Sequence, residues 1–207
     1  MRDSVPAGPA FAGLAVALYT ALSVAGLSST AVLVKPLAVA ILAGWVAVRG
    51  QGPAARALAV AMAIDAVADG VIEVSFLGGL ALFLVGHLGR IAAFTLDRPA
   101  VALGRAVPFA ALVVGVGGVV VPTAGSLGIP IALYALAIGA MGWRAAARVD
   151  GTPARALGLA GAVLYLLSDT LLAADKFLTP LPASQLLILG TYWGGQSLIA
   201  ASMVRRR

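Results

Sequence analysis

Asp65, Asp69 and Glu73 stand at i, i+4 and i+8 in an otherwise apolar stretch, and Asp169 stands in a second stretch of the same kind. A spacing of four puts the first three on one helix face. At membrane depth a carboxylate costs at least about 2.5 to 3.5 kcal/mol on insertion scales, so acids in such a setting point to a site rather than to decoration. Paired carboxyls suit general acid and base chemistry. One delivers a proton, and the other, ionised, steadies a developing cation and takes a proton from water. Asp69 and Asp169 are the expected catalytic pair. The expected substrate-binding residues around them are Lys35, Asp65, Glu73, His87, Tyr134 and Tyr192.

Each of these side chains also has a structural use. Lys35 is placed to pair with an Asp or to meet an anionic group, Asp65 to line a cavity floor, and Glu73 to be solvated near the outer surface. His87 reads as a proton carrier or a hydrogen-bonded packing residue. Tyr134, Tyr165, Tyr192 and Gln196 read as interhelical hydrogen-bonding groups. Arg90, on the face of His87, reads as holding a phosphate or, in preference, as snorkelling toward the inner headgroups. Ser168 beside Asp169 lacks the strained elbow of a serine hydrolase, and the glycines at 115 to 118 lie inside an apolar run, where they serve helix packing.

Positioning these groups falls to membrane helices. The chain has 207 residues, 61% hydrophobic and only 11% charged, with a mean hydropathy of +1.04. That leaves too little polar surface for a soluble globule and ample apolar length for several spans. Cysteine is absent, which excludes disulfides, iron–sulfur clusters and thiol nucleophiles, and the one histidine disfavours a zinc site. No metal or organic cofactor is expected. The net charge of +6 is read as membrane topology, so no nucleic-acid partner is expected.

Apolar runs punctuated by Gly, Pro or Arg predict an all-α fold, a single transmembrane domain over 1–207. Its eight helices fall near 10–28, 32–48, 56–75, 77–96, 104–122, 128–147, 155–175 and 183–203. Of the 14 Lys and Arg, Arg2, Arg49, Arg56, Arg98, Arg105, Arg144, Arg148, Arg155 and Arg205 to Arg207 fall on one side of such a bundle. The positive-inside rule then puts both termini in the cytoplasm, which requires an even number of spans. The localisation expected is an integral protein of a bacterial-type inner (plasma) membrane. A cleaved signal peptide at the N-terminus would leave seven spans and break that parity.

The halves resemble one another. Pro53-Ala-Ala-Arg56-Ala-Leu58 and Pro153-Ala-Arg155-Ala-Leu157 open helices 3 and 7 ahead of Asp69 and Asp169, and Pro36 and Pro130 are read as starting helices 2 and 6. This predicts a parallel repeat of four helices on four, with the site between them. At 1.5 Å per residue, Asp69 and Asp169 lie level, about 20 Å from the inner edge of a core about 30 Å thick. The expectation is a polar cavity in the outer half of the membrane.

Residue patterns then carry a likeness. Lys35-Pro36, Ala68-Asp69, Phe76-Leu-Gly-Gly-Leu80 and Phe83-Leu-Val-Gly-His87 with Phe94, followed by Tyr134-Ala-Leu-Ala-Ile-Gly-Ala-Met141, Leu167-Ser168-Asp169-Thr170-Leu171-Leu172 with Phe177, and Thr191-Tyr192, resemble the YhhN-like lysoplasmalogenase family over about residues 32 to 200. The chain departs from that pattern where Ala68 replaces a common Gly, Asp65 a small residue and Arg90 an aromatic. The resemblance implies an eight-helix ether hydrolase that cleaves the vinyl ether of a lysophospholipid-like substrate, a lysoplasmalogen, to a fatty aldehyde and a glycerophospho-headgroup. Two carboxylates suffice for this. Protonation of the alkene gives an oxocarbenium ion, the problem glycosidases also solve with a carboxyl pair. The competing readings are a small-solute or lipid transporter using intramembrane acids and a lipid-binding protein without catalysis.

Overall fold

The computed structural model describes residues 7–26 and 28–204, with helices over α1 (Ala7–Val24), α2 (Ser28–Arg49), α3 (Gly52–Val71), α4 (Phe76–Asp97), α5 (Val107–Thr123), α6 (Gly128–Ala147), α7 (Pro153–Phe177) and α8 (Ser184–Met203). Short 3-10 turns precede α5 and α6, and no strand occurs among the described residues. Arg2 and Arg205 to Arg207, on which part of the charge argument stands, lie outside them. The fold is all-helical, as the apolar runs predict. By length and apolarity four helical stretches can cross a membrane: Phe76–Asp97, Leu103–Thr123, Gly125–Ala147 and Pro153–Phe177. The polar interior explains why α3 falls short, since it carries Arg56, Asp65 and Asp69.

Local chemistry sets the boundaries. Pro53 and Pro153 occupy the first turns of α3 and α7, where a missing N–H costs nothing. Ser75 caps α4 by accepting from the Gly78 amide at 3.1 Å. One expectation is corrected here: Pro36 lies inside α2 rather than at its start, because the helix extends back to Ser28.

Close packing depends on missing side chains. A Cβ on Gly161 of α7 would come within 2.7 Å of the Gly195 carbonyl, and one on Gly195 of α8 within 2.8 Å of the Gly161 carbonyl, so backbone meets backbone. A Cβ on Gly89 of α4 would come within 2.8 Å of Ala61 on α3. The same two helix pairs, α7 with α8 and α3 with α4, supply most of the polar side chains of the site. α5 packs mainly on α6 and touches α7, leaving most of its own surface exposed.

At the end opposite Lys35, α6 grips the α4–α5 connection. Arg144 donates to the carbonyls of Ala100 (2.5 Å) and Arg98 (2.9 Å) and to Thr95 Oγ1 (3.0 Å), and Trp143 donates to the Ala102 carbonyl at 3.1 Å. Arg105 reaches back to the carbonyls of Ala146 and Val149 at 2.7 and 2.8 Å. Beside them Arg98, Arg148 and Arg155 gather around Asp97 and Asp150. Asp150 accepts from the Thr152 hydroxyl at 2.8 Å and amide at 3.2 Å, and with Arg155 alongside its carboxyl is pushed down to about 2.

Candidate functional site

A cavity of about 120 Å³ opens among α2, α3, α4, α6, α7 and α8, walled mainly by apolar side chains, with Asp69 and Asp169 both in its lining. Lys35 joins them, as do Tyr134, Ser168 and Tyr192, while Phe76, Phe83 and Phe177 supply aromatic wall. Phe76, Leu80, Phe83, His87 and Arg90 recur along one face of α4, the spacing of a buried stripe. Periodicity alone identifies such a face as interior. It does not distinguish cavity wall from packed core.

The two Asp side chains are held by tyrosines from different helices. Tyr192 of α8 donates to Asp69 Oδ2 at 3.0 Å, and Tyr134 of α6 donates to Asp169 Oδ2 at 2.6 Å. His87 Nε2 lies 2.9 Å from the Tyr134 hydroxyl and 3.6 Å from Asp169 Oδ2. A phenol has one proton. With that proton on the Asp169 bond, the hydroxyl oxygen accepts from His87, which places the ring proton on Nε2. The result is a line of donors from His87 through Tyr134 to the Asp169 carboxylate. The two acids differ in exposure: Asp69 is 1% exposed, whereas the Asp169 side chain is 17% exposed.

Asp65 belongs to a layer beneath. It is fully buried, pairs with Arg90, and accepts from Gln196 Nε2 at 2.7 Å and from the Tyr165 hydroxyl at 3.0 Å. Arg90 also donates to Gln196 Oε1 at 2.7 Å and sits 4.9 Å from the Tyr165 ring centre. Tyr165 packs edge-on against both His87 and Tyr192, with ring centres 5.0 and 5.1 Å away, so the lower layer supports the upper one directly. A Cβ on Gly86 would fall 1.9 Å from Asp65 Oδ1, so the glycine makes room for the carboxylate.

Three sequence expectations need correction. Asp65 is not in the cavity floor; it is closed off by Arg90, Gln196 and Tyr165. Lys35 reaches Glu73, Nζ to Oε1 at 2.7 Å, rather than either Asp. Glu73 is therefore the partner of a cavity-lining cation, itself outside the lining. Arg90 does not snorkel inward. Side chains lean toward their own helix N-terminus, and in α4 that end lies with Lys35, so Arg90 reaches back toward Asp65, which leans the opposite way from antiparallel α3. His87 stands behind Tyr134, also outside the lining.

The arrangement missed from sequence is the Asp65, Arg90, Gln196 and Tyr165 layer. A signal for it was present, because the two charged departures from the family pattern, Asp65 and Arg90, prove to be each other's partner. Among the described residues no three His, Asp or Glu side chains converge to hold a metal ion.

Comparison with known proteins places the chain among relatives. Residues 30–203 match the YhhN family. The lysoplasmalogenase TMEM86A of Homo sapiens is 33% identical over 165 residues, covering 75% of this chain and 68% of the relative. The lysoplasmalogenase TMEM86B of Homo sapiens is 34% identical over 187 residues, covering 86% and 77%, and that of Sus scrofa 35% over 156 residues, covering 74% and 66%. No solved structure matches. Since the family match runs from α2 to the last turn of α8 and these relatives align over most of the same span, this chain belongs to the YhhN family.

Proposed function

We propose that the protein is a lysoplasmalogenase-like hydrolase in which Asp69 and Asp169 divide the proton transfers of vinyl ether cleavage. The observation that carries this reading is a single apolar cavity lined by both carboxyls with a lysine alongside. An ether oxygen is a poor leaving group, but protonation of the alkene carbon not bonded to that oxygen yields an oxocarbenium ion on the other. Water adds to that ion, one carboxylate takes the water's proton, and the hemiacetal collapses to aldehyde and free glycerol hydroxyl. Asp169, the more exposed acid, is where water approaches, and the His87 to Tyr134 line steadies its charge. Asp69, enclosed beside Tyr192, then faces the alkene as the acid. Lys35, already beside Glu73, is the cation nearest a headgroup phosphate in this arrangement.

The same reading puts eight helices across a bacterial-type inner membrane with both termini in the cytoplasm, and α1–α4 repeated as α5–α8 along an axis normal to it. In that placement the Lys35 end of the cavity faces outward, where a lysolipid headgroup lies. Release of fatty aldehyde from lysoplasmalogen by purified protein in detergent tests the function. No release above heat-inactivated protein would exclude it.

A further inference from the structure

A second pocket, about 70 Å³, lies between α5, α6 and α7. It shares Ile131, Tyr134, Asp169 and Ala173 with the first cavity, so the Tyr134–Asp169 hydrogen bond stands where the two meet. The pockets lie side by side over the turn toward Lys35, at Ile131 and Ala173, and differ in how far they reach. Along α7 the first extends from Ser168 toward Phe177 at the Lys35 end, whereas the second reaches back to Leu166; along α6 the second adds Ala135 and Ile138, about one turn further from Lys35. On α5 it spans Leu112 to Val120, a length of about 12 Å. Apart from Tyr134, Asp169 and Thr170 its lining is apolar, and the Thr170 hydroxyl is already bonded to the Leu166 carbonyl at 2.8 Å.

We propose that this second pocket receives the hydrocarbon chain of the substrate and so sets its chain-length preference, the headgroup remaining at the Lys35 end. The proposal rests on the hydrolase reading. In a single-chain vinyl ether lipid the reactive bond sits between a polar head and a long apolar tail. A ligand with that bond at Asp169 needs a cation within reach of its head on one side and apolar space for its tail on the other, and the Lys35 end of the first cavity and the second pocket supply these. The occupant is a linear hydrocarbon because the pocket is elongated along α5 and offers no free polar partner beyond Tyr134 and Asp169.

Gly117 provides the test. It lines the pocket, and a Cβ there would meet no atom within 4 Å, so a side chain can grow into the space without displacing packed neighbours. Gly118, its neighbour, is exposed, outside the lining and equally open, which makes it the control. Gly117→Phe is expected to lower the ratio of kcat/KM for hexadecenyl over octenyl lysoplasmalogen at least about tenfold, the effect of leaving about two methylenes unburied, while Gly118→Phe keeps the wild-type ratio. Ala135→Phe fills the same pocket from α6 and serves if the first variant does not fold. An unchanged ratio in a folded pocket variant, or an equal loss on both chains, would overturn the proposal. Binding of the saturated hexadecyl and octyl ether analogues, read by thermal stabilisation, separates the two claims. Chain discrimination lost in the variants, from a wild type that releases no aldehyde, leaves the chain pocket standing and removes the hydrolase.

Discussion

Arg90 of α4 and Asp65 of α3 form an ion pair in which neither side chain is exposed, and Gln196 bonds to both members. Removing one member of such a pair strands a charge, whereas replacing both with apolar groups of similar size is close to neutral. Asp65→Ala or Arg90→Met alone is expected to destabilise the protein by about 3 to 5 kcal/mol, and the Asp65→Ala, Arg90→Met double variant to recover most of it. Thermal unfolding in detergent measures the cycle. Additive losses in the double variant would show that the two side chains are not coupled.

Asp69→Asn and Asp169→Asn should each lower turnover by at least about 100-fold with folding retained, the low end for general acid–base catalysis. The check is aldehyde release by monodisperse protein. Near-normal turnover in either variant removes that residue from the mechanism.

Lys35→Met should raise KM with a smaller change in kcat, because it loses a contact to the headgroup rather than a proton-transfer group. Its stability should move little, since the Lys35–Glu73 pair is partly exposed, with Glu73 at 36%. Steady-state kinetics on lysoplasmalogen decides this; a fall in kcat at constant KM would contradict it.

Gly86→Ala and Gly70→Ala make a matched pair. The first places a Cβ 1.9 Å from Asp65 Oδ1, and the second meets nothing within 4 Å. Gly86→Ala should therefore lower the unfolding temperature and disturb the buried layer. Gly70→Ala, inside a helix, should leave it unchanged or raise stability by up to about 1 kcal/mol. Equal behaviour of the two would mean that the close approach at Gly86 is not maintained in the protein.

The Asp150 carboxyl, pushed down to about 2 chiefly by the Thr152 hydroxyl and with Arg155 adding to it, stabilises the folded loop above its unfolded value near 4 and loses that contribution as pH falls toward 2. Thr152→Val should shift its titration upward, toward the ordinary carboxylate range. Carboxyl carbon chemical shifts followed from pH 6 to about 1.5 report it; a midpoint that stays near 2 would assign the effect to Arg155 instead.

Helix positions were legible because long apolar runs broken by Gly, Pro and Arg admit few alternatives in a membrane. The shared cavity of Asp69 and Asp169 was legible as well, since rise per residue fixes depth and the two acids come out level. Partner choice was not. Lys35 has both Glu73 and Asp69 within a side chain's reach in one dimension, and only the rotation of α2 against α3 selects Glu73. Arg90 was misread because depth alone favoured the nearer headgroups, whereas the lean of its side chain and the clearance at Gly86 and Gly89 direct it to Asp65. The pocket beside α5 had no sequence signal at all. Its α5 wall, Leu112, Val113, Val116, Gly117 and Val120, is made, apart from the leucine, of the same Val and Gly that recur along the rest of that helix.

Order of synthesis gives the buried pair a second meaning. Arg90 follows Asp65 by 25 residues, whereas Gln196 and Tyr192 follow their carboxylates by 131 and 123. In the eight-span arrangement proposed above, a bare acid on α3 raises the cost of membrane entry by about 2.5 to 3.5 kcal/mol as that helix leaves the ribosome. The next helix to emerge carries the countercharge for Asp65, so an α3–α4 hairpin can enter with that charge already matched. Asp69 gains no hydrogen-bonding partner so early: Lys35 of the preceding helix lies in the same cavity but bonds to Glu73, and the tyrosine of Asp69 arrives only with the last helix. Of the two acids proposed for the chemistry, Asp69 is thus the one whose hydrogen-bond partner the nascent chain supplies last, whereas the Tyr134 partner of Asp169 precedes it.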